Sequence, residues 1–508
     1  MDDVFAWLVV CRANEAIVSN TDLVPLDRAI QSDPVARLPS DKRPGLLPDH
    51  RARWLRWGLA LVIVAATTRL GLRAVSDPSP WLHLRVGQFL LNGGRFGLPD
   101  PWAPYPVRPF VLTEWLPSVL AAKLYATAGL PAIAWLRCVS MLLLLTATLW
   151  STRRVSGAVP SLLAAFASVF AAGEGMTERP QAISIVLLAI TVGAWWRTAE
   201  DLKPRWWLIP LTWLWAMSHG LWVVGLGFGV VMVAGLAIDQ RLDRRQAGQL
   251  LAIPFLGFVA AALTPVGPRL LLTSLTIGGN ASDFVGEWQP TSIRDPHAML
   301  ALAMLAIVLL GWIRSRAVPP WWQIALATLA LVSTLAMSRT IAVGAVLAAP
   351  LLAQTLQSHL GTVVSPATRR DGMGWLALVV AAAIVAIPMS GAIARNPVGV
   401  PDGLRPQLSA IAAGTVILSE DDKTGWLLWA EPKLAPAIDI RTEIYSRAHL
   451  AAYVRTMAVK PGWQDFIKST HSTYALVAKE SPIATALRER LGWHLIGTDF
   501  GYVLLEAP

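Results

Sequence analysis

The 508-residue sequence is poor in charge, since Asp, Glu, Lys and Arg make up 15% of the chain, whereas soluble domains carry roughly a quarter. Hydrophobic residues make up 54% of the chain, and the mean hydropathy is +0.50. This shortage of charge excludes a soluble enzyme. The apolar excess lies in long runs between about residues 59 and 391, as is typical of a polytopic membrane protein.

Cysteine and nucleotide-binding motifs are also scarce. The two cysteines, Cys11 and Cys138, exclude a disulfide framework and lack the spacing of a metal or redox site. Neither GxxxxGK[ST] nor GxGxxG after a strand occurs, so a nucleotide-driven pump would have no phosphate-binding loop. The first residues are acidic and precede a very short apolar stretch, so we expect no cleaved secretory signal.

The net charge of +10 comes from Lys and Arg residues that stand in twos and threes between apolar runs. Residues in such positions set the orientation of a chain in the membrane, and we expect no binding of nucleic acid. Eleven apolar segments are candidate spans, each near or below the ~20 residues that cross a bilayer. They are residues 57–74, 131–151, 157–173, 181–197, 205–218, 220–238, 247–264, 298–313, 320–336, 341–357 and 373–391.

The orientation of the spans follows from these basic residues. If the N-terminal tail, residues 1–55, is cytoplasmic, every short basic cluster between spans falls on the cytoplasmic side, as the positive-inside rule requires. This agreement requires that residues 115–127, which contain Pro117 and Lys123, do not cross the membrane. We therefore expect a re-entrant or surface helix there.

This topology predicts a transmembrane domain over residues 56–392, with the first outer loop at 75–114 and a second long outer loop at 264–296. Residues 393–508 are predicted to form an extracytoplasmic domain with strands and a helix. The predicted strands are residues 415–418, 437–440, 474–478 and 502–505, and the predicted helix is residues 481–491. The predicted fold class is thus an α-helical polytopic membrane protein, with about 11 transmembrane helices and a small C-terminal extracytoplasmic α/β domain.

The first outer loop contains a predicted helix of about thirteen residues, with Ser79 as N-cap and Pro80 at its first position. Its apolar side chains Trp81, Leu84 and Phe89 are predicted to lie on the bilayer surface. Asp77 precedes this helix and has two interpretations. It is either a cap that accepts hydrogen bonds from loop amides, or a general base that takes a proton from an attacking hydroxyl.

The pattern D-x-x-x-W-x-H-L-x-x-G at 77–87 is followed by G-x-x-x-x-P-D-P at 94–101 and by E-W at 114–115. This order of motifs resembles the bacterial members of the GT-C superfamily of integral-membrane glycosyltransferases, which use polyprenyl-phosphate-linked sugars. Ser218 departs from the family pattern, which has an asparagine there. Further matching segments are residues 178–181, 213–220, 286–290, 338–340, 424–429 and 438–445.

The resemblance implies a plasma-membrane enzyme that transfers a sugar, with inversion, from a polyprenyl-phosphate donor to a glycan, lipid or protein acceptor outside the cytoplasm. It implies that Asp77 is the catalytic base, and Asp100 is the second acidic candidate. No certain cofactor is implied. A divalent cation is left open, without a residue pattern that supports one.

The remaining predicted site residues bind substrate: cations near the outer membrane surface for the phosphate, and acidic, aromatic and imidazole groups for the sugar. Each has a structural alternative, such as anchoring a helix end at the membrane interface or satisfying a buried hydrogen bond. They are His83, Arg85, Glu114, Arg179, His219, Glu287, Trp288 and Arg339, with Arg269 as a further cation near the surface.

Two other functions are compatible with the sequence. A lipid or solute transporter, or flippase, is expected to place ionisable residues in broken helices near the middle of the membrane. The charged residues inside the predicted spans, such as Arg69 and Arg137, are few and have no obvious acidic partners in the sequence. An inactive relative that scaffolds envelope assembly is the third possibility.

Overall fold

The computed structural model describes residues 49–97, 100–276, 278–316, 318–360 and 368–508. Most of the predicted N-terminal tail and the dipeptide at 98–99 lie outside these residues. Residues from Arg53 to Pro508 form one compact unit.

Each of the eleven predicted spans contains a helix. Five helices among the described residues are long and apolar enough to cross a membrane: Leu130–Thr152, Gln181–Asp201, Pro296–Ser315, Ser338–Leu360 and Arg369–Ile393. The count of eleven crossings stays a prediction. The helices are α1 (Asp49–Gly71), α2 (Ser79–Leu91), α3 (Trp115–Ala128), α4 (Leu130–Thr152), α5 (Ala158–Ala171), α6 (Gln181–Asp201), α7 (Leu208–Ala216), α8 (Trp222–Ile238), α9 (Arg244–Ala262), α10 (Arg269–Thr276), α11 (Gly278–Phe284), α12 (Pro296–Ser315), α13 (Trp321–Ala336), α14 (Ile341–Leu360) and α15 (Arg369–Ile393).

The bundle is arranged around α14. This helix is rich in alanine and packs against α5, α12 and α13, because small side chains let helix backbones approach closely. In its most apolar window 78% of the residues are buried, against 11% for α15. We therefore place α14 at the centre of the bundle and α15 at its periphery, facing lipid.

Arg137, which lies within α4, has an acidic partner that the sequence did not reveal. Its Nε donates to the carbonyl of Met176 over 2.8 Å, and its Nη1 donates to the carbonyl of Gly71 over 2.9 Å. The fully buried carboxylate of Glu178 lies 3.8 Å from Nε, and Arg73 lies 3.5 Å from the same carboxylate. These contacts join the ends of α1 and α4 to the segment before α6, so we assign Arg137 a structural role.

The C-terminal residues form a five-stranded mixed sheet in the order β2-β1-β3-β5-β4. The parallel strands β1 and β2 are joined through helix α17, and β5 is antiparallel to both β3 and β4. The elements are β1 (Val416–Ser419), β2 (Ala435–Pro436), β3 (Tyr474–Ala478), β4 (His494–Asp499) and β5 (Tyr502–Glu506), with α16 (Arg405–Ala410), α17 (Asp421–Ala430), α18 (Arg447–Met457), α19 (Trp463–Thr470) and α20 (Pro482–Leu491). The predicted helix is confirmed as α20, capped by Ser481, whose Oγ accepts from the Ala484 amide.

The predicted strand at 437–440 is wrong. The strand beside β1 is Ala435–Pro436, and the chain then bends. Asp439 and Arg441 therefore do not share a strand face. A tight turn brings them together instead, and the Arg441 amide donates to Asp439 Oδ1 over 2.9 Å.

The helix of the first outer loop lies between two other helices. Helix α2 has the predicted thirteen residues, but its outer face is covered by α17 of the C-terminal domain, and Trp81 and Leu84 are 2% and 1% exposed. The prediction that these side chains lie on the bilayer surface is wrong. The close approach is visible at Gly425, where a Cβ would stand 3.0 Å from the Pro78 carbonyl oxygen.

Replacing Gly87 by alanine is expected to destabilise the contact between α2 and α3. A Cβ at Gly87 would stand 2.1 Å from the carbonyl oxygen of Ser118, so the two helices must separate. Overpacking of this kind costs about 1–3 kcal/mol. We expect a lower midpoint of thermal unfolding for the purified protein in nanodiscs. Gly58→Ala is the control, because no atom lies within 4 Å of a Cβ there, and an equal midpoint for Gly87→Ala and wild type would contradict the assigned contact.

Candidate functional site

A cavity of about 440 Å³ lies where the first outer loop, the second long outer loop and the C-terminal domain meet. Six of the predicted site residues line it, namely His83, Glu114, Arg179, Glu287, Trp288 and Arg339. The sequence separates them by as many as 256 positions, and the fold brings them to one place.

Arg179, just before α6, holds two carboxylates. Its Nε donates to Asp77 Oδ2 over 2.7 Å, and its Nη1 donates to Glu287 Oε1 over 2.5 Å. Burial alone lowers the pKa of the Arg179 guanidinium, but Asp77 and Glu287 outweigh burial and leave that pKa raised. Arg179 therefore keeps its charge and fixes two loops against each other.

Asp77 makes the amide contact of the first interpretation and, in addition, an ion pair with Arg179. Its Oδ1 accepts from the Ser79 amide over 2.9 Å at the start of α2, while its Oδ2 accepts from Arg179. The side chain is 5% exposed and does not itself line the cavity. Asp77 thus acts on the cavity indirectly, because it binds Arg179, which lines the cavity.

Arg339 is the second cation of the cavity and lies in the short turn Ser338–Thr340 that precedes α14. Its guanidinium lies 5.6 Å from the centre of the Trp288 ring, and its Nη1 lies 3.8 Å from Glu287 Oε2. Because this carboxylate contact is longer than either contact of Arg179, Arg339 is the less neutralised cation. It is the better placed of the two to bind an anion from the cavity.

Glu114 lies between two imidazoles. His83 Nε2 is 3.5 Å from Glu114 Oε2, and His219 Nε2 is 3.4 Å from Glu114 Oε1. Burial raises the pKa of Glu114 to about 7, although Arg339 opposes this shift. Burial also lowers the pKa of His83 to about 4 and the pKa of His219 well below its usual value. At neutral pH both imidazoles are therefore uncharged, and Glu114 is the one of these three groups whose pKa lies near neutral pH.

Besides Asp77 and His219, two further predicted residues, Asp100 and Arg85, do not line the cavity. Asp100 accepts from the amides of Trp102 and Ala103 and from Arg441 Nη1 over 2.6 Å, and its side chain is 1% exposed. This geometry supports a structural link between the first outer loop and the C-terminal domain, and gives no support to a catalytic role. Arg85 stacks over Trp102, with 5.8 Å between the guanidinium carbon and the ring centre, and also lies off the cavity.

Sequence reasoning missed the acidic groups that the C-terminal domain adds to the cavity wall. Glu443 lines the cavity with Asp421 and Asp422, and burial raises the pKa of Glu443 to about 7. Glu443 lies in the segment at 438–445 that resembles the GT-C family. That resemblance is the signal that could have identified Glu443, but the sequence analysis predicted only a strand at 437–440 there.

No group of three or more His, Cys, Asp and Glu side chains in the described ranges is arranged to hold a metal ion. The two carboxylates nearest to the cations, Asp77 and Glu287, are both engaged by Arg179. One guanidinium thus neutralises both carboxylates, and we derive no chemical step through a divalent cation.

Comparison with known proteins gives a likeness in structure alone. No protein-family model and no curated protein sequence match the chain. The archaeal oligosaccharyltransferase AglB from Archaeoglobus fulgidus, in complex with an inhibitory peptide and a dolichol-phosphate, aligns over 90% of this chain and 74% of its own, with a TM-score of 0.58 and 11% identity. The A. fulgidus oligosaccharyltransferase tethered to an acceptor peptide with the NVT sequon aligns over 84% of this chain and 69% of its own, with a TM-score of 0.59 and 12% identity.

ArnT from Cupriavidus metallidurans in the apo state aligns over 90% of this chain and 98% of its own, at 15% identity and a TM-score of 0.49. The chain has the fold of the two A. fulgidus oligosaccharyltransferase structures.

Proposed function

We propose that this protein is an inverting membrane glycosyltransferase that moves a sugar from a polyprenyl-phosphate donor to an acceptor outside the cytoplasm. The observation that supports it most is the convergence of Arg179, Arg339 and Glu114 on one cavity. Two guanidinium groups can hold a leaving phosphate, and a carboxyl group that titrates near neutral pH can exchange a proton with a hydroxyl.

The donor class is supported by the chemistry of the cavity and by its structural neighbours. A cationic wall suits a phosphate, and one neighbour is described in complex with a dolichol-phosphate. The C-terminal domain adds acidic groups to the cavity wall, which suits an acceptor that presents hydroxyl groups. Another neighbour is described with an acceptor peptide, but nothing in the cavity selects a peptide over a glycan or lipid.

The proposal includes the predicted orientation. With the tail cytoplasmic, the cavity and the C-terminal domain lie on the outer side of the plasma membrane, where a lipid-linked donor meets its acceptor. The domain boundaries at about residues 55 and 392 belong to this proposal. An accessibility scan with cysteines placed at Ser292 and Thr498 is expected to show labelling from outside intact cells.

The rival transporter class is less well supported. A transporter is expected to have uncompensated ionisable groups near the middle of the membrane, whereas Arg137 is paired with Glu178 and with two carbonyls.

The proposal is tested by offering purified protein in nanodiscs a panel of radiolabelled polyprenyl-phosphate sugars, with a membrane extract as acceptor. We expect label transfer from at least one donor. Asp77→Asn is expected to raise the KM for the donor about tenfold, or roughly 1.4 kcal/mol, because Arg179 loses the contact that orients it towards the phosphate. Lipid movement without transfer would favour the transporter, and neither activity would favour the inactive scaffold.

A further inference from the structure

Resting on the proposed function, we propose that Glu114 is the group that takes the proton of the acceptor hydroxyl, and that His83 and His219 are positioning residues that hold its carboxyl group. The catalytic role that the sequence assigned to Asp77 is replaced by a positioning role for that residue. Its carboxylate orients Arg179, which in turn faces the donor phosphate.

Access to the cavity favours Glu114 over Asp77 as the group that accepts the proton. The Glu114 side chain is 25% exposed and lines the cavity, whereas Asp77 is 5% exposed and both of its oxygens accept hydrogen bonds. A base bound tightly to a guanidinium is a poor proton acceptor, because proton uptake must break the ion pair. Among the described residues, no cation lies as close to the Glu114 carboxylate as Arg179 lies to Asp77, at 2.7 Å.

The hydrogen bonds of His83 determine which of its nitrogens faces Glu114 without a proton. The Ser118 hydroxyl donates to the Glu114 carbonyl oxygen over 2.7 Å, so its oxygen can only accept from His83 Nδ1, which lies 3.2 Å away. The neutral ring then has its lone pair on Nε2, directed to Glu114 Oε2. A proton shared by this pair must come from the carboxyl group of Glu114.

His219 faces the other oxygen of Glu114, and its Nε2 lies 3.4 Å from Oε1. Two N–H donors approach this ring, because the Leu221 amide lies 3.2 Å from Nδ1 and Arg339 Nη2 lies 3.2 Å from Nε2. These contacts hold the ring and the Arg339 guanidinium beside Glu114. One oxygen of Glu114 thus faces His219, while the other faces the lone pair of His83 Nε2.

Burial and the neighbouring charges together set the pKa of Glu114 near neutral pH. The titratable groups that face it are His83 on α2, His219 at the tip between α7 and α8, Arg179, Arg339 and Glu443. Burial and the like charge of Glu443 raise the pKa of Glu114, while Arg339 and Arg179 lower it. The resulting pKa of about 7 gives both protonation states at neutral pH, as an efficient general base requires.

The step balances without an oxidant or metal. The acceptor oxygen forms a bond to the anomeric carbon while the bond from that carbon to the phosphate oxygen breaks, and its electron pair leaves with the polyprenyl phosphate. The proton of the acceptor hydroxyl passes to the ionised carboxylate of Glu114. It then leaves to water at the open side of the cavity, which restores the carboxylate.

The test is the pH dependence of transfer by the full chain in nanodiscs, with the radiolabelled polyprenyl-phosphate sugar that the wild type accepts. Wild-type kcat/KM is expected to fall as the pH drops below about 7, because Glu114 becomes protonated and cannot accept the proton. Glu114→Gln is expected to lose about 100- to 10,000-fold of kcat and to lose this pH dependence. Glu114→Asp is expected to recover part of the rate.

Three further variants test whether Glu114 accepts the proton or only supports the structure, with the midpoint of the pH profile as the readout. Ser118→Ala is expected to shift the midpoint of the pH profile, because His83 loses the contact that fixes its tautomer. Glu443→Gln is expected to move the midpoint to lower pH and to keep the pH dependence, since Glu443 raises the pKa of Glu114. Asp77→Asn is expected to raise the donor KM with the midpoint unchanged.

Several results would overturn the assignment. One is a folded Glu114→Gln variant with wild-type kcat, and another is a Glu443→Gln variant that loses the pH dependence while Glu114→Gln keeps it. Loss of kcat in Asp77→Asn with an intact pH profile in Glu114→Gln would return the base to Asp77. These outcomes leave the proposed function standing. Absence of transfer by the wild type from every donor would overturn both proposals.

Discussion

Replacing Arg339 by alanine is expected to reduce sugar transfer by about 100- to 1,000-fold, the usual cost of removing one group that stabilises developing negative charge. Arg339 lies over Trp288 and has only a 3.8 Å contact to Glu287, so its charge is available to a phosphate that enters the cavity. As the sugar leaves, charge develops on that phosphate. The rate constant of transfer at saturating donor measures the effect.

Two further variants make this test specific. Arg339→Lys keeps the charge but loses the planar pair of donors, so we expect an intermediate rate. Arg294→Ala removes an exposed arginine of the adjoining outer segment and is expected to leave the rate unchanged. A rate for Arg339→Ala close to that of Arg294→Ala would show that Arg339 only anchors the start of α14.

Replacing Arg441 by methionine is expected to destabilise the C-terminal domain by about 3–5 kcal/mol, the usual cost of removing one partner of a buried ion pair. Arg441 donates from Nε to Asp439 Oδ1 over 2.9 Å and from Nη1 to Asp100 Oδ2 over 2.6 Å. Burial would lower the pKa of Arg441, but Asp439 and Asp100 outweigh it and raise that pKa. Without the guanidinium, two buried carboxylates are left without their cation.

The effect is measured as the temperature at which purified protein becomes sensitive to a protease that cuts in the C-terminal domain. Arg447→Met is the matched control, because Arg447 pairs with Asp283 at the surface, where its side chain is 68% exposed. Exposed pairs contribute only about 0–1 kcal/mol. Equal protease sensitivity of the two variants would mean that the link from Asp100 to Asp439 does not stabilise the domain.

The positions of the membrane helices were largely predictable, because long apolar runs leave few alternatives. Helix α14, for example, follows directly from residues 341–357. Alternation of apolar and polar residues was a poorer guide in the C-terminal domain. Ile438 to Arg441 alternate like a strand, yet Asp439 turns back to bind Arg441. Strand β4 was missed because it is mostly exposed and contains Gly497 at an irregularity in its pairing with β5.

The residue types of the site were predictable, but their arrangement was not. Charge and position near the outer surface pointed to Arg179, Glu287 and Arg339. Only the fold shows that the Arg179 guanidinium binds both Asp77 and Glu287. The Arg339 guanidinium has a longer contact to Glu287 and is less neutralised. The location of Glu114 between His83 and His219 depends on three segments that meet in space. Burial, which sets the pKa of each group, cannot be read from sequence spacing.

The most direct measurement of the central claim is the stoichiometry of products from a single reaction with a doubly labelled polyprenyl-phosphate sugar. The protein in nanodiscs would be mixed with this donor and a membrane extract. Our account predicts equal amounts of free polyprenyl phosphate and glycosylated acceptor, with a rate that falls below pH 7 and is lost in Arg339→Ala. Donor that crosses the bilayer intact, with neither product formed, would contradict it.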